Sequence, residues 1–188
     1  MKIVLASESP FRKRALDLLR LPYETSPSRI DEKAIRDNDP VKLTRKLAEA
    51  KARKVADEHP DAIVVAGDAV VSKNGKIYEK PRDEEEAIQF LKELSGGELQ
   101  FVTSLAVLNA QSGKMLSTVE VSNIAFRSLT DSEIRDYMGK YDVLNYAGAF
   151  ESDAVLLFSG HISGSYNVVT ALPVNRLILF LREQGVVV

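Results

Sequence analysis

The sequence contains no cysteine and only two histidines. The first absence excludes disulfide frameworks, thiol catalysis and cysteine-ligated zinc. The histidines, His59 and His161, match no metal-ligand or catalytic spacing, so we interpret both as structural or surface residues.

The chain also lacks a long apolar run and an excess of charge of either sign. No stretch approaches the roughly 18 apolar residues that a membrane span requires, and the first apolar segment follows Met1-Lys2 without a signal-peptide pattern. The 27 acidic and 25 basic residues nearly cancel, and no block of lysine and arginine is present. We therefore expect a cytoplasmic protein with neither a membrane nor a nucleic-acid polymer as partner.

The composition and length of the chain predict one globular domain over residues 1–188. The composition, 45% hydrophobic and 28% charged, is ordinary for such a domain, and the chain is long enough to bury a substantial core. No repeat, low-complexity segment or flexible linker divides it. Strand-like and helix-like segments alternate from the first residues, which predicts an α/β fold.

Capping signals and apolar stripes place the helices. Serine or aspartate before proline starts two of them, and capping boxes start two more. We predict helices from Pro10 to Arg20, from Pro40 to about His59, from Asp83 to Gly96, from Thr130 to about Gly139 and from Pro173 to Gly185.

Apolar and β-branched runs place the strands, at 2–5, 62–72, 77–78, 101–108, 115–127 and 155–158. Glycine turns at Asn74-Gly75 and Ser112-Gly113 join hairpins. We interpret 146–153 as irregular and 160–167 as a polar loop. Hairpins mixed with crossover helices imply a mixed sheet.

Asp68 is an unusual residue for its surroundings, because it interrupts an almost continuous apolar run. A buried carboxylate is costly without a cation or several donors, so we favour a functional role over an aspartate that reaches solvent. Gly67 before it allows either the close approach of another segment or a bulge in the strand. Lys51 lies on the inward stripe of its helix, where it either extends to water or meets an anion.

The turn that contains Ser7, Ser9 and Arg12 is a candidate phosphate site. A helix N-terminus offers free N–H groups and a partial positive charge, and hydroxyls and a guanidinium add donors. An ordinary capped helix with a surface arginine would have the same residues.

Pro81 fixes the direction in which Lys80 points. Lys80 and Glu32 are weak signals by themselves, since either could lie on a solvated surface. Together with Asp68, Lys51 and the serine turn, they complete a set that can hold a triphosphate with a divalent metal and activate a water molecule.

Short segments along the whole chain, in order, resemble the motifs of the Maf family of nucleoside triphosphate pyrophosphatases. Any one of them is weak, but their shared order and spacing make the resemblance specific. The segments are Leu5–Arg12, Leu47–Ala52, Gly67–Val71, Lys80-Pro81, Leu94–Gly96, Phe126–Leu129, Ala147–Phe150, Gly164–Val169 and Leu172-Pro173.

The resemblance implies hydrolysis of a nucleoside triphosphate to the monophosphate and pyrophosphate, with Mg²⁺ or Mn²⁺. It also implies a strongly twisted mixed sheet flanked by helices, two lobes around a central cleft, and a homodimer. The matched positions are Asp68 and Lys80 as catalytic residues, Glu32 and Asp68 at the metal, and Ser7, Ser9, Arg12, Lys51 and Lys80 at the phosphates.

Three positions concern the base. Family members that act on dTTP and UTP tend to have Arg, Thr and Gln where this chain has Phe11, Ala69 and Asp153. Members that act on 7-methyl-GTP tend to have an aromatic residue at the first position and an acid at the third. Guanine offers adjacent N–H donors to a carboxylate, and an aromatic face attracts the cationic 7-methylated ring. Phe11 and Asp153 therefore favour a guanine-type base, although Ala69 fits neither group.

Other functions stay open at this point. One is a dTTP/UTP-preferring pyrophosphatase of the same family. Another is the related class that clears inosine and xanthosine triphosphates, whose glycine-rich phosphate loop is missing between Ser7 and Arg12. A third is a nucleotide-binding regulator of septum formation or cell division, although the joint presence of Asp68, Glu32, Lys51 and Lys80 argues against lost catalysis.

Overall fold

The structure, a computed structural model, describes the backbone of residues 1–188 and every side chain except that of Tyr166. The strands are β1 (Lys2–Leu5), β2 (Glu24–Thr25), β3 (Ala62–Lys73), β4 (Lys76–Tyr78), β5 (Glu98–Asn109), β6 (Met115–Phe126) and β7 (Ser159–Gly164). The α helices are α1 (Pro10–Asp17), α2 (Pro40–Glu58), α3 (Glu84–Leu94), α4 (Asp131–Met138), α5 (Val155–Phe158) and α6 (Val174–Glu183). Short 3₁₀ turns lie at Glu32–Ala34, Ala147–Ala149 and Tyr166–Val168.

The strands form one mixed seven-stranded sheet in the order β2-β1-β3-β5-β6-β7, with β4 paired to β3. β1 runs parallel to β2 and β3, and the remaining pairs are antiparallel. Helices flank this sheet, so the expected mixed α/β fold is confirmed. Among the described residues, every helix is too short or too polar to cross a membrane.

The helix starts follow the capping signals of the sequence. The Asp39 carboxylate accepts the N–H groups of Val41 and Lys42 at the start of α2, and Asp83 accepts that of Glu86 in α3. Thr130 and Glu133 form a reciprocal capping box at the start of α4. The prediction for α1 is wrong at its end, because the helix stops at Asp17 rather than at Arg20.

Two adjacent predictions near the C-terminus are wrong. Val155–Phe158 forms a helical turn rather than a strand, and the segment interpreted as a polar loop contains strand β7. A four-residue apolar run carries too little periodicity to separate the two states. In the fold Val155 and Phe158 are buried at helical spacing, whereas β7 is an edge strand that pairs through its backbone with β6 and so tolerates polar side chains.

β3 has a gap along one of its edges. β5 covers the opposite edge from Ile63 to Ser72, whereas β1 pairs only with Ala62–Val65 and β4 only with Val71–Lys73. In the ladders of the described chain, residues 66–70 therefore have no strand partner on the β1/β4 side. Asp68 lies within this gap, in the middle of a long buried strand.

Separate apolar clusters lie on either side of this gap. At one end of β3 and β5, Ile63 and Leu105 pack with α1 and α6. At the other end, Val71 and Phe101 pack with α3 and α4. The cleft lies between these clusters, as the expectation of two lobes requires.

Gly67 marks the point where the C-terminal segment approaches β3 most closely. A Cβ atom there would lie 2.6 Å from Leu172 Cδ1 and 2.8 Å from the Ser104 carbonyl oxygen. A backbone carbonyl cannot move aside without breaking the sheet, so the position accepts no side chain at low cost.

We expect Gly67→Ala to lower the free energy of unfolding by about 1–3 kcal/mol, the usual cost of overpacking. Gly160→Ala is the matched control, because a Cβ there meets no atom within 4 Å; its effect should stay below about 1 kcal/mol in either direction. Urea unfolding measures both, and equal effects would contradict the close approach at Gly67.

Candidate active site

The gap in β3 forms the floor of a cleft of about 710 Å³. This volume lies within the range of sites that hold small molecules. Its walls come from the β1–α1 turn, the segment from Pro27 to Arg36, α2, the middle of β3, Glu79-Lys80 and the segment around Tyr146.

A buried ion pair lies at the centre of the cleft. Lys51 Nζ lies 2.6 Å from Asp68 Oδ1 and 3.0 Å from Glu32 Oε1. Lys51 and Asp68 are each only 6% exposed. The structure therefore decides between the two alternatives for Lys51: it meets anions rather than water. Burial raises the pKa of Asp68, while the charges of Lys51 and Arg12 oppose that rise.

Ser104 on β5 holds this ion pair in place. The Asp68 N–H donates to Ser104 Oγ at 3.1 Å, and the Ser104 hydroxyl donates to the Thr44 carbonyl oxygen on α2 at 2.8 Å. Ser104 thus joins the strand that carries Asp68 to the helix that carries Lys51. Nothing in the local sequence marks Ser104, since its partners lie 36 and 60 residues away.

Arg12 joins the two ends of the chain at the cleft. Its Nε donates to the Ala171 carbonyl oxygen and its Nη1 donates to Ser7 Oγ, both at 3.3 Å. Desolvation lowers the pKa of the Arg12 guanidinium, and the carboxylates of Asp68 and Glu32 oppose this shift. Arg12 therefore interacts electrostatically with the carboxylates of Asp68 and Glu32.

The serine turn differs from an ordinary helix cap. Ser9 occupies the N-cap position of α1, but the described side chains give it no capping bond. Instead its backbone N–H donates to Ser7 Oγ at 3.2 Å. Both serines line the cleft, so the Ser9 hydroxyl is available to a ligand there.

Lys80 lies at the edge of the cleft and is exposed. Beside it, Glu79 Oε1 accepts a hydrogen bond from Arg36 Nη1 at 2.9 Å, which connects the β4 exit with the segment that carries Glu32. Arg36 is a single arginine in a polar stretch, so no sequence pattern distinguishes it.

The predicted base residues separate into two groups. Phe11 and Ala69 line the cleft, and the Phe11 ring lies edge-on to Tyr146 with 5.4 Å between centroids. Asp153 is absent from the lining formed by the described residues. Its Oδ2 accepts from both Nη atoms of Arg14 at 3.2 Å, and the Arg14 guanidinium lies 5.1 Å from the Phe11 ring centroid.

Asp142 and Asn145 also line the aromatic wall of the cleft, and neither was singled out from the sequence as a base-recognition residue. Asp142 Oδ2 accepts from Asn145 Nδ2 at 2.5 Å, so this carboxylate is held in place. The resemblance to the Maf family would place an aspartate and a lysine at Asn145 and Tyr146, and this departure is the sequence signal for the segment.

The side chains that the structure describes contain no cluster of three or more histidine, cysteine or acidic residues that could enclose a metal ion. Asp68 and Glu32 nevertheless converge on one ammonium group. Proteins usually bind Mg²⁺ through one or two carboxylates together with water and substrate phosphates. The two acids therefore fit a cation that is shared with a phosphate ligand.

Removing Lys51 should expose the cost of burying Asp68. We expect Lys51→Met to lower the free energy of unfolding at pH 7 by about 3 kcal/mol, because it leaves a buried carboxylate without its nearest cation. Adding Asp68→Asn should restore much of this loss. Lys54→Met on the exposed face of α2 is the matched control, with an effect of about 0.5 kcal/mol or less.

The loss in Lys51→Met should shrink as the pH falls. Burial raises the pKa of Asp68, so its protonated form is favoured in the folded protein, and the penalty grows as the pH rises through that folded pKa. Urea unfolding between pH 4 and 8 measures the trend. A pH-independent loss would contradict the burial of an ionised Asp68.

Comparison with known proteins identifies relatives that match nearly the whole chain. The family described as "Maf-like protein" matches residues 2–184. A "7-methyl-GTP pyrophosphatase" of Hydrogenovibrio crunogenus is 35% identical over 97% of this chain and 92% of its own. A "dTTP/UTP pyrophosphatase" of Carboxydothermus hydrogenoformans is 38% identical over 98% of this chain and 100% of its own.

Two solved structures also align. They are a HAM1 protein from Coxiella burnetii, at 16% identity over 97% of this chain and 99% of its own, and the Ham1 protein of Staphylococcus aureus, at 14% identity over 98% and 100%. Both TM-scores are 0.49, so the fold assignment is based on the strand order and register described above. The family match over nearly the whole chain identifies this protein as a member of the Maf-like protein family.

Proposed function

We propose that the protein hydrolyses a nucleoside triphosphate between its α and β phosphates, and that it prefers guanine-type bases, 7-methylguanine included, over thymine and uracil. The central observation is the buried Lys51–Asp68 pair with Glu32, next to Arg12, at the floor of a cleft of nucleotide size. The activity written in the names of both curated relatives supports the first part of the proposal.

Asp68 acts as the proton acceptor. Its water-shielded carboxylate has a raised pKa, which makes it a better base than an exposed aspartate. A water oxygen bonds to the α phosphorus while the bond from that phosphorus to the α–β bridging oxygen breaks. The water proton passes to Asp68, and pyrophosphate leaves with the bonding electrons.

The cations around Asp68 bind the phosphates. Arg12, Lys51 and Lys80 approach the cleft from three segments, and the hydroxyls of Ser7 and Ser9 add donors. Such donors placed in advance stabilise the charge that develops on the transferring and leaving phosphates.

Glu32 and Asp68 are the residues that would hold the divalent cation. Mg²⁺ or Mn²⁺ supplies charge neutralisation for the leaving pyrophosphate when it is bound. Glu32 is the more exposed of the two acids, so it can reorient between Lys51 and a ligand in the cleft.

The base lies against the wall formed by Phe11 and Tyr146. The Asp142 carboxylate on this wall can accept the adjacent N1–H and amino N–H donors of guanine. Uracil and thymine would place a carbonyl oxygen against that carboxylate, which is unfavourable. In this proposal Asp153 acts through Arg14, which it holds over the Phe11 ring. The homodimer and the cytoplasmic location expected from the family resemblance belong to the same proposal.

Asp68→Asn should reduce kcat by about 10²–10⁴-fold, because an amide has the same shape but accepts no proton from water. Nucleotide binding should persist. The measurement is pyrophosphate release from each nucleoside triphosphate with Mg²⁺ and with Mn²⁺. Asp61→Asn, at an exposed turn before β3, is the control and should keep full activity. Orthophosphate and a diphosphate as main products would contradict the cleavage position.

The base preference is tested by kcat/KM for GTP, 7-methyl-GTP, dTTP and UTP. We expect kcat/KM for guanine nucleotides to exceed that for both pyrimidines by about tenfold or more, on the order of one hydrogen bond to a charged group. Asp142→Asn should remove most of this advantage, and Asp153→Asn should reduce it less. A parent enzyme that prefers dTTP or UTP would contradict the proposed preference. An unchanged order of kcat/KM among the four nucleotides in Asp142→Asn would contradict the role of Asp142.

A further inference from the structure

Glu120 lies outside the cleft but accepts hydrogen bonds from three residues of the C-terminal segment. Its side chain on β6 is only 15% exposed. One carboxylate oxygen accepts from Asn167 Nδ2, and the other accepts from Asn175 Nδ2 and from Arg176 Nε, both at 3.3 Å. A carboxylate this buried and this fully bonded holds its partners in fixed positions.

The residues that Glu120 holds lie on either side of Ala171. The Ala171 N–H donates to the Asn167 carbonyl oxygen at 2.8 Å, and the Thr170 hydroxyl donates to the Leu172 carbonyl oxygen at 2.9 Å. Ala171 itself has φ of +49°, a left-handed conformation that a residue with a Cβ rarely adopts. A strained residue of this kind persists only where its surroundings determine it, and Glu120 is the charged anchor of those surroundings.

The strained Ala171 turns its carbonyl toward the cleft, where it accepts from Arg12 Nε at 3.3 Å. Arg12 makes its other bond to Ser7 at the opposite end of the chain. A planar guanidinium that is fixed at Nε presents its remaining N–H groups in a defined direction. The orientation of the phosphate-binding arginine therefore depends on the C-terminal segment.

We propose that Glu120 is a positioning residue for phosphate binding: through Asn167 and Ala171 it fixes the direction in which Arg12 meets the polyphosphate. This inference rests on the proposed function only in taking Arg12 as a phosphate ligand. Glu120 touches no substrate, so its contribution lies in the geometry of Arg12.

The test uses Glu120→Gln in the full chain, with Glu49→Gln as the matched control. Glu49 also accepts a hydrogen bond from a strand serine, Ser117, at 2.7 Å and pairs with Arg53, and both of these partners lie outside the described lining of the cleft. We expect Glu120→Gln to raise KM for the triphosphate about tenfold with a smaller change in kcat. Glu49→Gln should leave both within twofold.

A double-mutant cycle with Arg12→Lys separates positioning from general stability. If Glu120 acts through Arg12, Glu120→Gln should have little further effect on KM in the Arg12→Lys background. Multiplicative effects, or Glu120→Gln with KM within twofold of the parent, would overturn the inference. Should Glu120→Gln not fold, Asn167→Ser, which removes the amide donor, is expected to shift KM in the same direction.

Binding of inorganic tripolyphosphate, measured by calorimetry, makes the test independent of turnover. We expect the parent to bind it and Glu120→Gln to bind it about tenfold more weakly. A parent that binds tripolyphosphate but releases no pyrophosphate from any nucleotide contradicts the proposed function, while weaker binding by Glu120→Gln still supports the positioning role. A parent that does not bind tripolyphosphate overturns the positioning role.

Discussion

The buried pair between Lys51 and Asp68 is the interaction on which the rest of the site depends. A carboxylate in the middle of a buried strand is unfavourable unless a cation lies against it, so α2 must lie across β3 with Lys51 facing inward. Ser104 fixes that arrangement by bonding to both elements. Glu32 also contacts the Lys51 ammonium group, and the Arg12 guanidinium is a second cation near Asp68.

The gap in β3 explains how such a pair can be both buried and accessible. Along one edge of β3, β1 and β4 stop short of residues 66–70, and Asp68 within this stretch lines the cleft. β5 pairs with β3 along the opposite edge, from Ile63 to Ser72. The same interruption separates the two groups of apolar clusters, so the cleft follows directly from the strand pairing.

Local signals in the sequence predicted the parts of the structure that depend on neighbouring residues. Proline and capping residues place the starts of α1, α2 and α4, and the single acid in an apolar run marks Asp68. Long-range contacts decide the rest. The Phe158 ring packs on Phe126 and Tyr137, and these contacts favour the helical turn at Val155–Phe158. Asp153 accepts a hydrogen bond from Arg14, a residue on α1 that is 139 positions away in the sequence. The partners of Glu120 and Ser104 lie between 36 and 60 residues away in the sequence, so no local pattern distinguishes these two residues.

The two ends of the cleft rest on different parts of the fold. The end of the cleft that we propose for the phosphates is built on β3, α2 and a left-handed Ala171, where the buried Lys51 contacts both Asp68 and Glu32. A substitution there disturbs several charges at once. The end that we propose for the base is built on the irregular segment around Asp142 and Tyr146, where Asp142 is exposed and the half-buried Tyr146 ring lies against Phe11. Residues at the base end can therefore change with little effect on the ion pairs. Such a division allows one phosphate-cleaving framework to serve different bases.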